Sequence, residues 1–422
     1  MNIVKSLAIA SLIISLAVSC LQAQTPSSIQ PTEIPPQLFY EIEIDPNQLP
    51  EIPTSTPTAP APTHCPPHRA LSISWNKNST LIAVGIGSGD IYNFDFARKC
   101  PFSGALQIFN VSASGYLRLL HTHHATKWIG SVTFSPDGTQ LITGGDDDTV
   151  NIFGGMSPFS HQQTLSEAPD RVRTVAINPN GTLLAAGGYD KNIRLYLKNE
   201  TNLFTYVKTL PHATSRVEDL DFNPINGQLA AAERYRKVRT YRGTSPYNLL
   251  ETLLDSCCQM LVVAFNPNGT LLTSGNMVGQ VRFYNGMNPN NTLHTLSALG
   301  RERVSSLAYN PSGTRLSVGQ ANGKVSVFEG ISPFSHLYTL PSDELPTVVY
   351  SRDGKWLVTG GVDGKIMMYR VDGVRAPTTE AVTESWIKVS IENSTEVHNS
   401  STFAALSLVT LLTTVLQGMI LQ

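Results

Sequence analysis

An all-β fold, a seven-bladed β-propeller with about four antiparallel strands per blade, is the class the sequence predicts, and three observations predict it. A twenty-residue module, FSPDGTQLITGGDDDTVNIF from Phe134, recurs from Ile177, Phe222, Phe265, Tyr309 and Tyr350, with starts 43, 45, 43, 44 and 41 residues apart. A degenerate copy, ISWNKNSTLIAVGIGSGDIYNF, begins at Ile73 and brings the count to seven. Each copy alternates apolar and polar residues around a tight-turn dipeptide. A period of roughly 40–45 residues with about four strands per unit is the mark of a propeller.

Each strand has its own local reason. In the copy that starts at Ile177, residues 175–177 alternate into a first strand, Asn180-Gly181 supplies the positive-φ positions of a hairpin turn, and residues 183–186 return. A second turn around Asp190 leads to a period-two strand over 193–196. A fourth strand fits 206–210, and its equivalents end in the Thr-Leu pairs at 164–165, 252–253, 295–296 and 339–340. No unit covers both its faces alone, so the units must stack around an axis. The connecting loops repeat as well, as MSPFSH from Met156, TSPYN from Thr244 and ISPFSH from Ile331. Such repetition points to shared architecture before it points to shared ligands.

On these residues the chain resembles the WD40-repeat family over roughly 70–371. The family's SPDG turn is literal at Ser135–Gly138, and its second-turn aspartate matches Asp147, Asp190 and Asp363, with Asn322 a near match. A family-like histidine precedes the first strand at His124 and His212. The terminal Trp-Asp dipeptide is replaced by Phe153, Tyr196, Tyr241, Tyr284, Phe328 and Tyr369. Tyr235 and Val278 stand where the turn aspartate belongs. The resemblance therefore implies a divergent propeller whose Asp–His braces are incomplete.

Closing the ring needs one more strand, because the last unit shows three. Residues 38–44 before the first unit and 386–391 after the last both alternate as half-buried strands do. A Pro-rich connection of about 25 residues separates the first from the ring, so the C-terminal segment is favoured.

The ends bear on the compartment. Residues 1–23 hold one Lys, Lys5, and then a charge-free run rich in Leu, Ile and Ala, which fits a secretory signal peptide. The sequence Ala17-Val18-Ser19-Cys20 loosely resembles a lipoprotein cleavage site, a reading that leaves the C-terminus unexplained. Residues 402–422 are apolar and uncharged; small residues at Asn393 and Ser394 and a polar spacer precede them. That order fits attachment of a glycosylphosphatidylinositol (GPI) anchor at Asn393 or Ser394, with a transmembrane tail as the alternative. Between these ends lie a Pro-, Thr- and Ser-rich segment (24–67, twelve Pro), the propeller (68–372), and a stalk with the anchor region (373–401). The Pro-rich segment is too poor in apolar residues to offset the entropy of ordering.

Sequons at Asn78, Asn110, Asn180, Asn199, Asn268 and Asn290 are glycosylation candidates, and Asn393 and Asn399 lie beyond the ring. At Asn180 and Asn268 the hairpin turn itself demands Asn-Gly-Thr, so Asn110, Asn199 and Asn290 are the better acceptors. Signal removal would leave Cys65, Cys100, Cys257 and Cys258, an even set suited to an oxidising compartment. Cys65 and Cys100 flank the first blade and could clamp it; Cys257 and Cys258 could join as neighbours or stay reduced.

Little chemistry stands out. Thirty Lys and Arg against 32 Asp and Glu give a net charge of −2 with no basic stripe, which argues against nucleic acid as a partner. No nucleophile elbow, phosphate-binding glycine loop or HExxH pair occurs. No cofactor is expected. The set His121, His123 and His124 reads as a solvated loop before a strand rather than a metal site. The trio Asp146–Asp148 reads as one bracing aspartate with two turn residues. The stretch Arg234-Tyr235-Arg236-Lys237 is a basic-aromatic turn that could attract an anionic partner. The reading that follows is a non-enzymatic, surface-displayed module binding protein or glycan ligands, held to the membrane by a lipid anchor or its tail. Its alternatives are a metal-assisted enzyme of the central channel and an intracellular scaffold.

Overall fold

The computed structural model describes residues 38–43, 68–88, 104–155, 159–210, 213–255, 258–290, 292–297 and 299–372. The chain divides into two compact units, Met1–Val374 and Arg375–Gln422, and every described residue belongs to the first. That unit is a seven-bladed propeller of four-stranded antiparallel sheets, without a described helix. Blade 1 runs outward through His68–Trp75, Leu81–Ser88, Gly104–Val111 and Leu117–Ala125. Blade 2 uses Ile129–Phe134, Gln140–Gly145, Val150–Gly154 and Ser160–Leu165, and blade 3 uses Val172–Ile177, Leu183–Gly188, Ile193–Lys198 and Phe204–Leu210. Blade 4 is Val217–Phe222, Leu229–Glu233, Lys237–Tyr241 and Leu249–Leu254, and blade 5 is Met260–Phe265, Leu271–Asn276, Val281–Asn285 and Thr292–Leu296. Blade 6 is Val304–Tyr309, Arg315–Gln320, Lys324–Glu329 and His336–Pro341. Blade 7 is Thr347–Tyr350, Trp356–Gly360 and Lys365–Arg370, completed by Leu38–Glu43.

The closing strand corrects the sequence-based expectation. Leu38–Glu43, not the segment at 386–391, pairs antiparallel with Lys365–Arg370, in register from Leu38 opposite Tyr369 to Glu43 opposite Lys365. Residues 386–391 lie outside the described residues. Sequence distance was a poor guide because closing a flexible loop costs only about 0.6 kcal/mol per doubling of its length. In blade 1 the third strand is Gly104–Val111, registered with Leu81–Gly87.

In blades 2 to 7 the hairpin turn from first to second strand bends at a glycine with positive φ, among them Gly138 (78°), Gly181 (74°) and Gly354 (73°), a conformation that costs glycine little, and in blade 1 Ser79 (56°) takes that place. Seven apolar clusters fill the ring, one at each junction of neighbouring blades. The second strands are therefore buried on both faces, as at Gln140–Gly145 and Leu183–Gly188. Close approach is permitted by glycine: a Cβ on Gly144 would come within 2.8 Å of Val172 Cγ1 in the next blade.

The Ser-Pro loops explain their own repetition. Phe159, Tyr247 and Phe334 all adopt positive φ near 56° and turn inward, Phe159 and Phe334 being buried. Phe334 of blade 6 stacks on Phe283 of blade 5 at 3.9 Å, and Phe159 of blade 2 meets Phe134 edge-on at 5.7 Å. The three aromatics join the 1–2, 3–4 and 5–6 junctions respectively.

The inner strands form the free edge around the axis, where unpaired N–H groups would be costly. Side chains from the preceding blade accept them. Ser72 and Ser74 take Val132 N–H and Phe134 N–H, Ser131 takes Val175 N–H, and Ser306 takes Val348 N–H, at 3.1–3.2 Å. Blade 4 does the same with carboxylates: Asp219 accepts from Val263 N–H at 3.0 Å and Asp221 from Phe265 N–H at 2.7 Å.

Candidate functional site

In blades 2 to 7 the connection entering the blade lies against that blade's second turn. Tyr189 N–H donates to Arg171 C=O (3.0 Å), and Arg234 N–H to Arg216 C=O (3.1 Å). In blades 3 and 4 this geometry gathers Arg171, Arg173, Tyr189, Arg216, Glu218 and Arg234 on one face. The guanidiniums of Arg216 and Arg171 lie 4.7 Å and 5.5 Å from the centre of the Tyr189 ring. Such contacts hold a cation by the ring's quadrupole, for about 0.5–1 kcal/mol at exposed sites. Glu218, whose side chain is 5% exposed, accepts from Arg216 Nε and from Arg234 Nη1 (3.2 Å) and lies 3.8 Å from Arg173. Arg171 pairs with Asp146 at 3.2 Å. Burial raises the Asp146 carboxyl against the lowering pull of Arg171, Arg173 and Lys127.

Glu218 thus anchors two arginines through one hydrogen bond each and leaves most of their donors unspent. The adjoining turn adds Tyr235, 64% exposed, and Arg236, also exposed. Cations outnumber carboxylates here, and an aromatic face stands beside them. The arrangement is matched to carboxylate or phosphate oxygens, which a guanidinium fork can grip with two parallel bonds.

The turn residues expected from sequence behave individually. Asp147 accepts from Thr149 N–H (3.2 Å) and Thr149 Oγ1–H (2.8 Å), closing its own turn. Asp190 pairs with Arg194 at 2.6 Å. Asp363 accepts from Lys365 N–H (3.0 Å), and its own N–H donates to Asp343. Burial, and then the neighbouring Asp363, push the Asp343 carboxyl up to about 7. Asn322 is exposed at the blade 6 turn.

His124 is exposed on the outer strand of blade 1, and His212 lies outside the described residues. The braces expected to be incomplete have been rebuilt around arginine. Arg194, Arg239 and Arg282 occupy matching positions on the third strands of blades 3 to 5. They meet Asp190 in the turn, Glu233 at the end of the second strand, and Asp255 in the connection (3.0 Å). Blades that lack the turn aspartate, at Tyr235 and Val278, draw their carboxylate from elsewhere.

The histidine set is not a loop: His121, His123 and His124 all lie within Leu117–Ala125. Among the described residues no group of three or more His, Cys, Asp or Glu could hold a metal ion. Asp146 faces Arg171, Asp147 closes a turn, and Asp148 occupies a positive-φ position (67°).

The described sequons fall in two kinds of turn, apart from Asn110, which lies in a strand. Asn78, Asn180 and Asn268 occupy first hairpin turns; Asn180 and Asn268 each accept from the following threonine hydroxyl at 2.6 Å. Asn199 closes a third-to-outer turn through Thr201 (2.7 Å) and Leu203 (2.9 Å), Asn290 lies at the matching turn of blade 5, and Asn110 is paired opposite Arg118 within the third strand of blade 1. Cys258 lies just before the inner strand of blade 5, Met260–Phe265. Cys65, Cys100, Cys257, Asn393 and Ser394 lie outside the described residues. Sequence reading found the Arg234–Lys237 turn but missed Arg171, Tyr189, Arg216 and Glu218. Aligning the repeats at the residue before each inner strand would have lined up Arg171, Arg216 and Arg303.

Three segments, 116–153, 159–196 and 335–370, match the WD40 family model, described as a WD domain with G-beta repeats. Each begins near an outer strand and ends with the third strand of the next blade, so the repeat straddles two blades. These segments contain Asp147, Asp190 and Asp363, whereas the turns at Tyr235, Val278 and Asn322 fall outside them. The chain is 27% identical over 158 residues to the protein HIR1 of Gibberella zeae, a match covering 33% of this chain and 15% of that protein. Among solved structures, a chain of a crystal structure of a mitotic checkpoint complex superposes with a TM-score of 0.59 at 19% identity. The superposition covers 77% of this chain and 99% of the other. At that identity it shows the fold alone. Three segments of this seven-bladed propeller thus match WD40 repeats, a scaffold that fits a protein-interaction module.

Proposed function

We propose that this propeller is a non-catalytic module that captures an acidic segment of a partner protein on the face built by blades 3 and 4. The observation that carries the reading is Tyr189 clasped between Arg171 and Arg216, with Glu218 holding Arg216 and Arg234 in place. A glycan is a weaker fit, since it offers few charges to the guanidiniums. The apolar segments at 1–23 and 402–422 support delivery through the secretory pathway and display at the cell surface on a GPI anchor. A tag placed after Ala23 tests that part: release from unpermeabilised cells by a phosphatidylinositol-specific phospholipase is expected, and absence of surface signal would overturn it. The binding face is tested by a photo-crosslinking residue at Tyr235 or, on the opposite face, at the exposed Ile225. Capture of an acidic peptide at position 235, reduced by Arg171→Gln, is expected. Equal or stronger capture at 225 would sink the assignment.

A further inference from the structure

We infer a divalent-metal chelate on the outer edge of blade 1, formed by the imidazoles of His121 and His123. The two residues are separated by one position on the strand Leu117–Ala125, so their side chains leave the same face while His124 leaves the other. Their ring centroids stand 5.7 Å apart with the planes inclined by 32°. A metal about 2.1 Å from each ring nitrogen sits about 3.2 Å from each centroid, so a shared tetrahedral ion sets the centroids about 5.2 Å apart. The observed spacing is within a small χ rotation of that value. Both residues are partly exposed.

Neighbours set the geometry further. His123 packs on Phe153 of blade 2 at 4.9 Å, and His161 meets the same ring edge-on from 5.6 Å. Phe153 therefore steadies His123 and separates His161 from it, so His161 does not complete a triad. Of the other outer-strand histidines, His161 and His336 each place Nε2 2.9 Å from a threonine hydroxyl three residues on, and His294 packs on Phe334 at 5.2 Å. With two protein ligands the rest of the shell belongs to water, and imidazole donors favour Cu2+, Ni2+ and Zn2+, with Cu2+ held most tightly.

Isothermal titration of the full chain with Cu2+, together with electron paramagnetic resonance, tests the inference. One equivalent whose spectrum carries imidazole nitrogen couplings is expected, weakened roughly tenfold or more by either His121→Gln or His123→Gln. His124→Gln and His161→Gln, which leave the pair intact, should change neither measurement. Circular dichroism of each variant separates loss of the ligand from loss of the fold. Binding that is unchanged in both His121→Gln and His123→Gln, or an absence of nitrogen couplings in the parent, would overturn the site.

Discussion

Replacing Asp219 and Asp221 together by serine should remove a pH-dependent weakness from the ring. Burial raises the Asp219 carboxyl to about 6, and raises that of Asp221 to about 7 with a contribution from the charge of Asp219; backbone N–H donors pull both down. A carboxyl whose folded pKa exceeds its ordinary 3.8 contributes fully below that value and loses its contribution as pH rises toward the folded pKa. At about 1.4 kcal/mol per unit, the two shifts correspond to at most about 3 and about 4 kcal/mol. Mutual repulsion is contained in the second, and both side chains keep some contact with solvent, so about 3 kcal/mol in total is expected. Serine preserves the acceptor, as Ser72 and Ser74 show in blade 1. Denaturant titrations at about pH 4 and about pH 7.5 supply the measurement. Between them the parent should lose about 3 kcal/mol more stability than D219S/D221S, and other titrating groups cancel in the difference. Parallel profiles would refute the argument, because these carboxylates would then ionise as freely in the fold as outside it.

Other outcomes follow from the braces and the closure. Arg239→Met leaves Glu233 buried with its counter-charge gone and should cost about 3 kcal/mol, read by denaturant midpoint; adding Glu233→Leu should recover most of that loss. Asp343→Asn removes the repulsion with Asp363, so thermal scans should show it gaining about 1 kcal/mol on the parent above about pH 7, after discounting for solvent, and little in acid. Deleting residues 1–43 uncovers the edge of Lys365–Arg370 and should produce aggregation or self-association on a sizing column. Truncation after Val374 should leave the melting temperature unchanged, which separates the observed closing strand from the C-terminal one first favoured.

What the sequence disclosed and what it withheld divide along contact range. The turn at Asn180-Gly181 is legible because its cause is local: a glycine that takes φ of 74° without strain. The strand at 193–198 is legible from its alternation. The partner of Tyr369 is not, since Leu38 and the segment at 386–391 alternate equally well and only the assembled ring chooses. Likewise the carboxylate that meets Arg282 comes from Asp255, 27 positions upstream, where no motif marks it. Tyr189 and Arg216 belong to different blades, so their contact exists only once neighbouring blades radiate from one axis.

The aromatic wedges at Phe159, Tyr247 and Phe334 fall 88 and 87 residues apart, at every second junction. The ring is thus written in couplets, three of them, with the blade that borrows its fourth strand from the beginning of the chain as an unpaired seventh. Removing or copying a whole couplet, or the unpaired seventh blade, keeps every wedge opposite its groove. Removing one member of a couplet leaves one aromatic facing a junction not shaped to receive it.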